Sequence, residues 1–444
     1  MNIQWMNSLE KSQIALSESL FARLSQPIKL TIHFGLFEME LQVIKGECLL
    51  EDTIGLPKDL SSLYTIPTEL PYDCLVKQGD IYIGPVIAYL VTRKLKNYND
   101  EALSLFLPRF QEYEKTKGLI FVCTKGSINI SKSLIKGFYY SPNQTESEGH
   151  WKYGEFPLPD AIFNRSYLEK SDISKLRKLL GDAFFNSYYL NLDKWLIWRY
   201  LSKRKKLRKH LPYTEKYKNA NQLTNLLTEY DTLYIKARRN SRGKGIFHLC
   251  RTNNGFMVCD ENQNNTLLKN EKQLKTFFDR NIVYPSIVQQ PVPFKYGKRV
   301  LDFRVYLQKN EKREWTFQGY TGRVSKEGSV VTNTLGRDNL LRGKEALYTI
   351  YQLDEESAFR IENDMVELVK SAVQVYEERG MHIADVAADI VLDANLHLWL
   401  LELQLNYASE KKAYEIPPEI FYKIMNTPFK YAKAITRFDQ SHLN

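Results

Sequence analysis

The sequence predicts an α+β fold, and three observations carry that expectation. Residues 28–44, IKLTIHFGLFEMELQVI, alternate apolar and polar in the period-two manner of strands. From about residue 192 to the end, strand patterns and helix patterns take turns. SAFRIENDMVELVKSAVQVYEERG, residues 357–380, is the clearest long helix pattern and closes on Gly380. With 444 residues and 43% hydrophobic content, the chain can bury two or three cores. Three regions are expected: a β-rich unit over 1–110, an α/β region over 111–190, and a larger α+β domain over 191–444.

The elements follow in order. DIYIGPVIAYLV, residues 80–91, reads as a strand, a Gly-Pro turn and a further apolar segment. GLIFVCT (118–124) and SLIKGFYYS (133–141) read as strands. NQTESEGHWKYGEFPLPD (143–160) is polar and then punctuated by proline, so a loop or domain edge is expected. LDKWLIWRYLSKRKKLRKHLP (192–212) has apolar residues at helical spacing up to Pro212 and reads as one helix. PEIFYKIMNTPFKYAKAITRF (418–438) reads as a helix interrupted at Pro428.

Composition narrows the function classes. The net charge of +10 favours anionic partners without choosing among them. The basic run KRKKLRK (203–209) is expected to be a solvated helix face, so nucleic acid is not the expected partner. Cys48, Cys74, Cys123, Cys250 and Cys259 are scattered, which suggests reduced thiols in a reducing compartment. The start, MNIQWMNSLEKS, has no signal-peptide pattern, and no apolar run is long enough to span a bilayer. A soluble cytoplasmic protein with no membrane partner is therefore expected. The histidines form no HxxxH or HExxH pattern, and no GxSxG elbow occurs.

Two stretches carry chemistry. The first is DIVLDANLHLWLLELQLN, residues 389–406. Asp393, Ala394 and Asn395 are turn material between two apolar runs, which reads as a hairpin. Period two puts Leu398, Leu400, Glu402, Gln404 and Asn406 on one face, and Asp389, Val391 and Asp393 on one face. A loop centred on Asn395 and Leu396 pairs 393 with 398, 391 with 400 and 389 with 402. Asp389 then faces Glu402, and like charges so placed destabilise a hairpin. A divalent cation would offset the repulsion, since hard ions take carboxylate and amide oxygens. Another register, or an arginine partner for one acid, would do so too.

The second stretch is LYIKARRNSRGKGIFHLC, residues 233–250. Between two strand patterns sit Lys236, Arg238, Arg239, Arg242 and Lys244, with glycines at 243 and 245. Glycine lets backbone amides approach an anion, and the cations neutralise it. Such a loop suits a triphosphate; it is not a Walker loop, because no GxxxxGK[ST] occurs. A solvated basic hairpin is the alternative reading of these residues alone.

Taken together, a strand lysine, a basic glycine loop and, much later, two acids on adjacent strands resemble an ATP-grasp domain. IYIGPVIAYL (81–90), YGEFPLPDAIFNRSYLE (153–169), Asp193-Lys194, HLPYT (210–214), VLDFRVYLQKN (300–310) and GRVSKEGSVVTNTLGR (322–337) narrow the match. They resemble the YheC/YheD family of endospore coat-associated proteins from roughly residue 80 to 410. The resemblance makes 111–190 a pre-ATP-grasp region and 191–444 the ATP-grasp domain, with ATP and Mg²⁺ as cofactors. It implies that Lys236 contacts the α- and β-phosphates and that Lys194 is an earlier nucleotide lysine. Ser241, Gly243, Lys244 and Gly245 resemble the phosphate-covering loop. VQQPV (288–292) takes the place of the hinge whose backbone reads adenine, through Gln289, Gln290 and Val292. Arg304 and Arg323 fall where the fold places cations near the phosphates or an acyl intermediate, the catalytic positions. Asp389 and Glu402 match the two magnesium acids, and Asn333 stands where an Asn precedes a Gly. Three departures are visible: Gln404 replaces the Asn of the usual E-x-N, Ala237 stands where Pro is common, and Asn240 where Gly is common.

The resemblance implies an ATP-dependent carboxylate-amine or carboxylate-thiol ligase working through an acyl phosphate. Its unknown carboxylate and amine substrates could include a coat protein or peptide, in the mother cell or the spore coat. The alternative is a structural coat component with a retained nucleotide site.

Overall fold

The computed structural model describes residues 1–25, 27–77, 79–142, 150–187, 193–239, 245–292, 299–327, 337–407 and 416–439. Its strands form four sheets. The first holds β1 (Asn2–Met6), β2 (Gln13–Leu16), β3 (Lys29–Phe34), β4 (Phe37–Lys45), β5 (Thr53–Pro57), β6 (Asp73–Lys77) and β7 (Asp80–Gly84), in the order β1-β5-β2-β4-β3-β7-β6. The second holds β8 (Val86–Val91), β9 (Leu119–Asn129), β10 (Leu134–Tyr140), β11 (Trp151–Pro157), β12 (Ala161–Asn164) and β13 (Phe184–Phe185), in the order β11-β10-β9-β8-β12-β13.

The sheets change at Gly84–Val86, not near residue 110. They also share one core: Ile32 and Ile81 of the first sheet pack in the same cluster as Leu119 and Phe156 of the second. The second sheet is covered on its other face by the helix Pro418–Ala434, through Phe429, Tyr431 and Ala432. This is why VIAYLV of β8 is apolar throughout: every residue is buried, as expected of a parallel strand covered on both faces.

A small sheet follows: β14 (Thr214–Lys216), β15 (Thr232–Ala237), β16 (Ile246–Thr252), β17 (Gly255–Cys259), β18 (Asn265–Leu268) and β19 (Ser286–Gln289), in the order β14-β19-β15-β16-β17-β18. One face, with Leu233, Ile235, Leu249 and Val258, packs on Leu223 and Leu226 of the helix Ala220–Leu226 and on Leu274 and Phe278 of the helix Glu271–Asn281. The alternate residues, including Tyr234 and Lys236, project from the opposite face.

The large sheet holds β20 (Leu301–Lys309), β21 (Trp315–Ser325), β22 (Arg337–Arg342), β23 (Asp385–Leu392) and β24 (Leu398–Gln404), in the order β22-β21-β20-β23-β24. Leu301, Phe303, Val305, Ala388, Ile390 and Leu392 pack against the helix Glu355–Glu377. That helix is capped by Asp354, whose carboxylate accepts the Ser357 N–H at 2.8 Å, and the chain leaves it through Gly380 at φ +74°.

Several expectations are corrected. Trp151–Pro157 is not loop but strand β11, paired along its length with β10. The helix expected over 192–212 is two, Lys194–Leu201 and Lys205–Arg208, broken at Ser202–Arg204. Pro428 does not interrupt the last helix, which runs Pro418–Ala434 around it.

Candidate functional site

The hairpin β23–β24 does place Asp389 opposite Glu402, but through a bulge. Ile390 pairs with Leu400 and Val391 with Trp399, so Leu401 is an extra residue between the two registers. The expected pairing of 391 with 400 does not occur. The bulge also reverses the faces. Leu398 and Leu400 point into the core, as do Leu403 and Leu405, while Glu402 and Gln404 leave on the other face.

On that face Asp389 meets two arginines. Arg304, paired with it across β20 and β23, donates Nε–H to Oδ1 at 2.8 Å and Nη2–H to Oδ2 at 2.9 Å. Arg323 Nη2 lies 3.1 Å from Asp389 Oδ1. Arg323 is itself gripped by Asp302, its cross-strand partner, at 2.6 Å to Nε and 2.7 Å to Nη2. Burial alone would raise the Asp389 pKa, but Arg304 and then Arg323 outweigh it and hold the carboxyl well below the usual carboxylate range. Burial opposes the charge on Arg323 too, and Asp302 and Asp389 outweigh it and raise its pKa. Of the offsets weighed for the acid pair, an arginine partner is present.

The small sheet approaches from the other side. Lys236 of β15 donates Nζ–H to Gln289 Oε1 at 2.7 Å, and Gln289 Nε2–H donates to Thr214 Oγ1 at 3.0 Å. Burial first, then the charge of Lys194, pushes the Lys236 pKa down to about 8, with Glu402 opposing. Lys194 Nζ stands 3.9 Å from Glu402 Oε1. Lys236, Lys194 and Glu402 therefore share one electrostatic neighbourhood, although they come from β15, a helix start and β24.

Asp193 fastens that helix start. Its Oδ1 caps the Trp195 and Leu196 N–H groups at 3.1 and 3.2 Å, and it takes Arg238 at 3.0 Å to Nε and 2.6 Å to Nη2. The Lys194 N–H in turn donates to Arg238 O at 3.0 Å. The chain just after β15 and the helix that begins at Lys194 are thus tied to one buried carboxylate.

The remaining expected residues fall as follows. Gly245 ends the basic loop at φ +68°, a conformation that favours glycine, and its N–H donates to the Glu261 carboxylate. The Ala237 N–H donates to Gly245 O at 2.9 Å and closes the loop base. Ser241, Gly243, Lys244 and Asn333 lie outside the described residues. Gln289 lies in β19, and its side chain holds Lys236. The Gln290 N–H donates to Tyr213 O at 3.0 Å and its Oε1 accepts the Tyr213 N–H at 3.0 Å, so that amide is engaged within the sheet. Val292 follows, half-buried. Arg304 and Arg323, expected as cations for phosphate, both lend their guanidinium groups to carboxylates.

The sequence pattern assigned no role to Asp302, Asp193 or Thr214, and it counted Arg238 among the loop cations for an anion, whereas its guanidinium is held by Asp193. Two were within reach of pattern alone. In VLDFRV the polar positions 302 and 304 share a face between apolar neighbours, and Asp193 sits at an N-cap position before a helix pattern.

A hard divalent cation would have to share Asp389 with Arg304, which bonds both of its oxygens, and with Arg323 at 3.1 Å from Oδ1. Asp389 stays ionised, Asp389 Oδ2 receives one N–H from Arg304, and Glu402 and Gln404 offer carboxylate and amide oxygens on the same face.

This chain is similar to several known proteins. Endospore coat-associated protein YheD of Bacillus subtilis (strain 168) is 25% identical over 379 residues, covering 80% of this chain and 79% of YheD. Endospore coat-associated protein YheC of the same organism is 19% identical over 303 residues, covering 66% of this chain and 81% of YheC. Among solved structures, the VanG D-Ala:D-Ser ligase of Enterococcus faecalis aligns with a TM-score of 0.45 at 10% identity, over 78% of this chain and 99% of that one. The YheC/D like ATP-grasp family matches residues 181–435, a span that holds the small sheet, the large sheet and every residue of the site just described, and this chain belongs to that family.

Proposed function

We propose that this chain binds Mg-ATP between its small and large sheets and uses it as a carboxylate-amine or carboxylate-thiol ligase. One observation carries the reading: Lys236, Lys194 and Glu402, far apart in sequence, converge on one another where the two sheets face. Lys236 and Lys194 would neutralise phosphate oxygens. Mg²⁺ would be held by Glu402, Gln404 and Asp389, and would supply charge neutralisation on the phosphates. Arg304 orients Asp389. A substrate carboxylate attacks the γ-phosphorus and ADP leaves; an amine or thiol then displaces phosphate from the acyl phosphate. The protein's contribution is positioning and preorganised charge. The likeness to YheD and YheC, both named endospore coat-associated proteins, supports an association with the spore coat, where a coat protein or peptide would be the substrate.

The test is ADP release from Mg-ATP, with and without a panel of carboxylates and amines. Substrate-dependent ADP release is expected. Thermal stabilisation by Mg-ATP with no ADP release under any pairing would favour the second reading. In that reading the chain is a structural coat component with a retained nucleotide site. Gln404 in the place of the usual Asn favours it, because the amide sits one methylene further out.

A further inference from the structure

We propose that Asp302 is a positioning residue: it draws the Arg323 guanidinium aside and so keeps Asp389 available to a divalent cation. The inference rests on the Mg-ATP reading above.

Four side chains form a line of alternating charge on the site face of the large sheet: Asp302, Arg323, Asp389 and Arg304. Asp302 and Arg304 share a face of β20, two residues apart, while the alternate residues Leu301, Phe303 and Val305 enter the core. The direct pairs are Asp302 with Arg323 and Arg304 with Asp389; the diagonal contact from Arg323 to Asp389 joins them. Asp302 and Arg323 are 5% and 6% exposed, so water screens little of this.

The geometry divides Arg323 unequally. Two bonds, at 2.6 and 2.7 Å, go to Asp302, and one longer approach, 3.1 Å, goes to Asp389. Arg304 already binds both oxygens of Asp389. Were Asp302 neutral, Arg323 would have Asp389 as the stronger acceptor of its two neighbours. Two guanidinium groups would then compete with a metal ion for one carboxylate, and the line would carry an uncompensated positive charge. Asp302 touches neither nucleotide nor metal in this account; it acts through Arg323.

The experiment uses the full chain at saturating ATP, with MgCl₂ titrated and the thermal shift read at each concentration. Three chains are compared: wild type, Asp302→Asn, and Asp302→Asn with Arg323→Gln. Asp302→Asn is expected to raise the Mg²⁺ midpoint roughly tenfold, the scale on which residues behind metal ligands act. The double variant removes the competing cation with its counter-charge, so its midpoint should return to the wild-type value or below. A merely structural role would lower the melting temperature of both variants and raise the midpoint in both. If Asp302→Asn does not fold, the double variant decides alone: a midpoint above wild type overturns the inference. A wild-type shift with an unchanged midpoint in Asp302→Asn overturns this inference and leaves the nucleotide reading standing. No wild-type shift at any Mg²⁺ concentration overturns both.

Discussion

Asp389 and Glu402 face each other across β23 and β24 because Leu401 is an extra residue in the ladder. Without that bulge the alternation that buries Leu398 and Leu400 would bury Glu402 as well. The bulge lets one strand supply core leucines along its length and still turn two oxygen donors toward the small sheet. Each acid has its own cation, Arg304 for Asp389 and Lys194 at 3.9 Å for Glu402, which makes the like-charge pairing tolerable.

The same large sheet is anchored to the second sheet by a buried cluster. Arg165 donates Nη1–H to Asp385 Oδ2 at 2.5 Å and also bonds Tyr407 O; Tyr407 O–H donates to Asp385 Oδ1 at 2.5 Å, and Gln308 Nε2–H to Asp385 Oδ1 at 2.8 Å. Asp385 and Tyr407 flank the two strands that bear the site acids. Arg165→Met should therefore destabilise the chain by about 3–5 kcal/mol, because it leaves a buried carboxylate without its cation. Urea denaturation reads this. A loss under about 1 kcal/mol would mean that the cluster is not the anchor.

Mg-ATP should raise the melting temperature, and Lys236→Ala should remove the rise. Nucleotide that binds only the folded chain stabilises it by about 2.7 kcal/mol at a hundredfold over Kd. Lys236 is held toward the site by Gln289, so the alanine variant loses a placed charge and not a wandering one. An equal shift in the variant would remove Lys236 from the nucleotide site.

Nucleotide affinity should fall as pH rises above about 8, where Lys236 loses its proton in the free protein. Phosphate favours the charged lysine, so above that pH binding must take up a proton, and affinity falls by up to about tenfold per pH unit. Below pH 8 the lysine is charged before and after binding, and this contribution is flat. The free protein moves the other way. Its folded Lys236 pKa lies below the unfolded value, so from about pH 8 to about 10 the unfolded chain holds the extra proton, and stability from this group rises with pH. Calorimetry in two buffers of different ionisation enthalpy counts the proton. Zero uptake at pH 9 would show that Lys236 does not meet the phosphates.

The basic run from Lys203 to Lys209 should be dispensable for nucleotide binding. Lys203, Lys205, Lys206 and Lys209 are exposed, and Arg204 is paired with Glu378. Exposed charges are screened beyond about 8 Å at physiological ionic strength. Neutralising those four lysines should leave ATP affinity within a few-fold; a tenfold loss would place the run beside the site.

Much of this architecture was legible from local pattern. The strand lysine, the pairing of β15 with β16 and the opposed acids each rest on period-two alternation and turn chemistry, which are local. What escaped pattern reading depends on distant partners. Trp151–Pro157 becomes a strand because β10 supplies its ladder, although two prolines mark its end. The shared core of the first two sheets joins Ile3 to Phe184, which no window along the chain contains. Asp393 reads from the sequence only as turn material; it is 5% exposed and accepts the Asn395 and His397 N–H groups and Trp399 Nε1–H, each at 2.9 Å. It sets the turn through bonds that a window of sequence does not show.

Glu402→Gln should abolish the Mg²⁺-dependent part of nucleotide binding and leave the fold intact. The side chain is 26% exposed, so the neutral amide strands no fully buried group, and it changes charge without changing volume. Lys194 keeps its place, since Asp193 caps its helix independently of Glu402. Binding of ATP without metal should persist or strengthen, because the carboxylate that repels phosphate is gone. Gln404→Asn asks the converse question. It shortens the amide by one methylene on the same face of β24 and restores the usual E-x-N spacing, so turnover should hold or rise. Measuring both variants in thermal shift with and without Mg²⁺, and in ADP release, separates metal from nucleotide. If Glu402→Gln keeps the full wild-type response to Mg²⁺, Glu402 is an ion-pair partner for Lys194 and not a metal ligand. The opposed acids would then be explained by their cations alone.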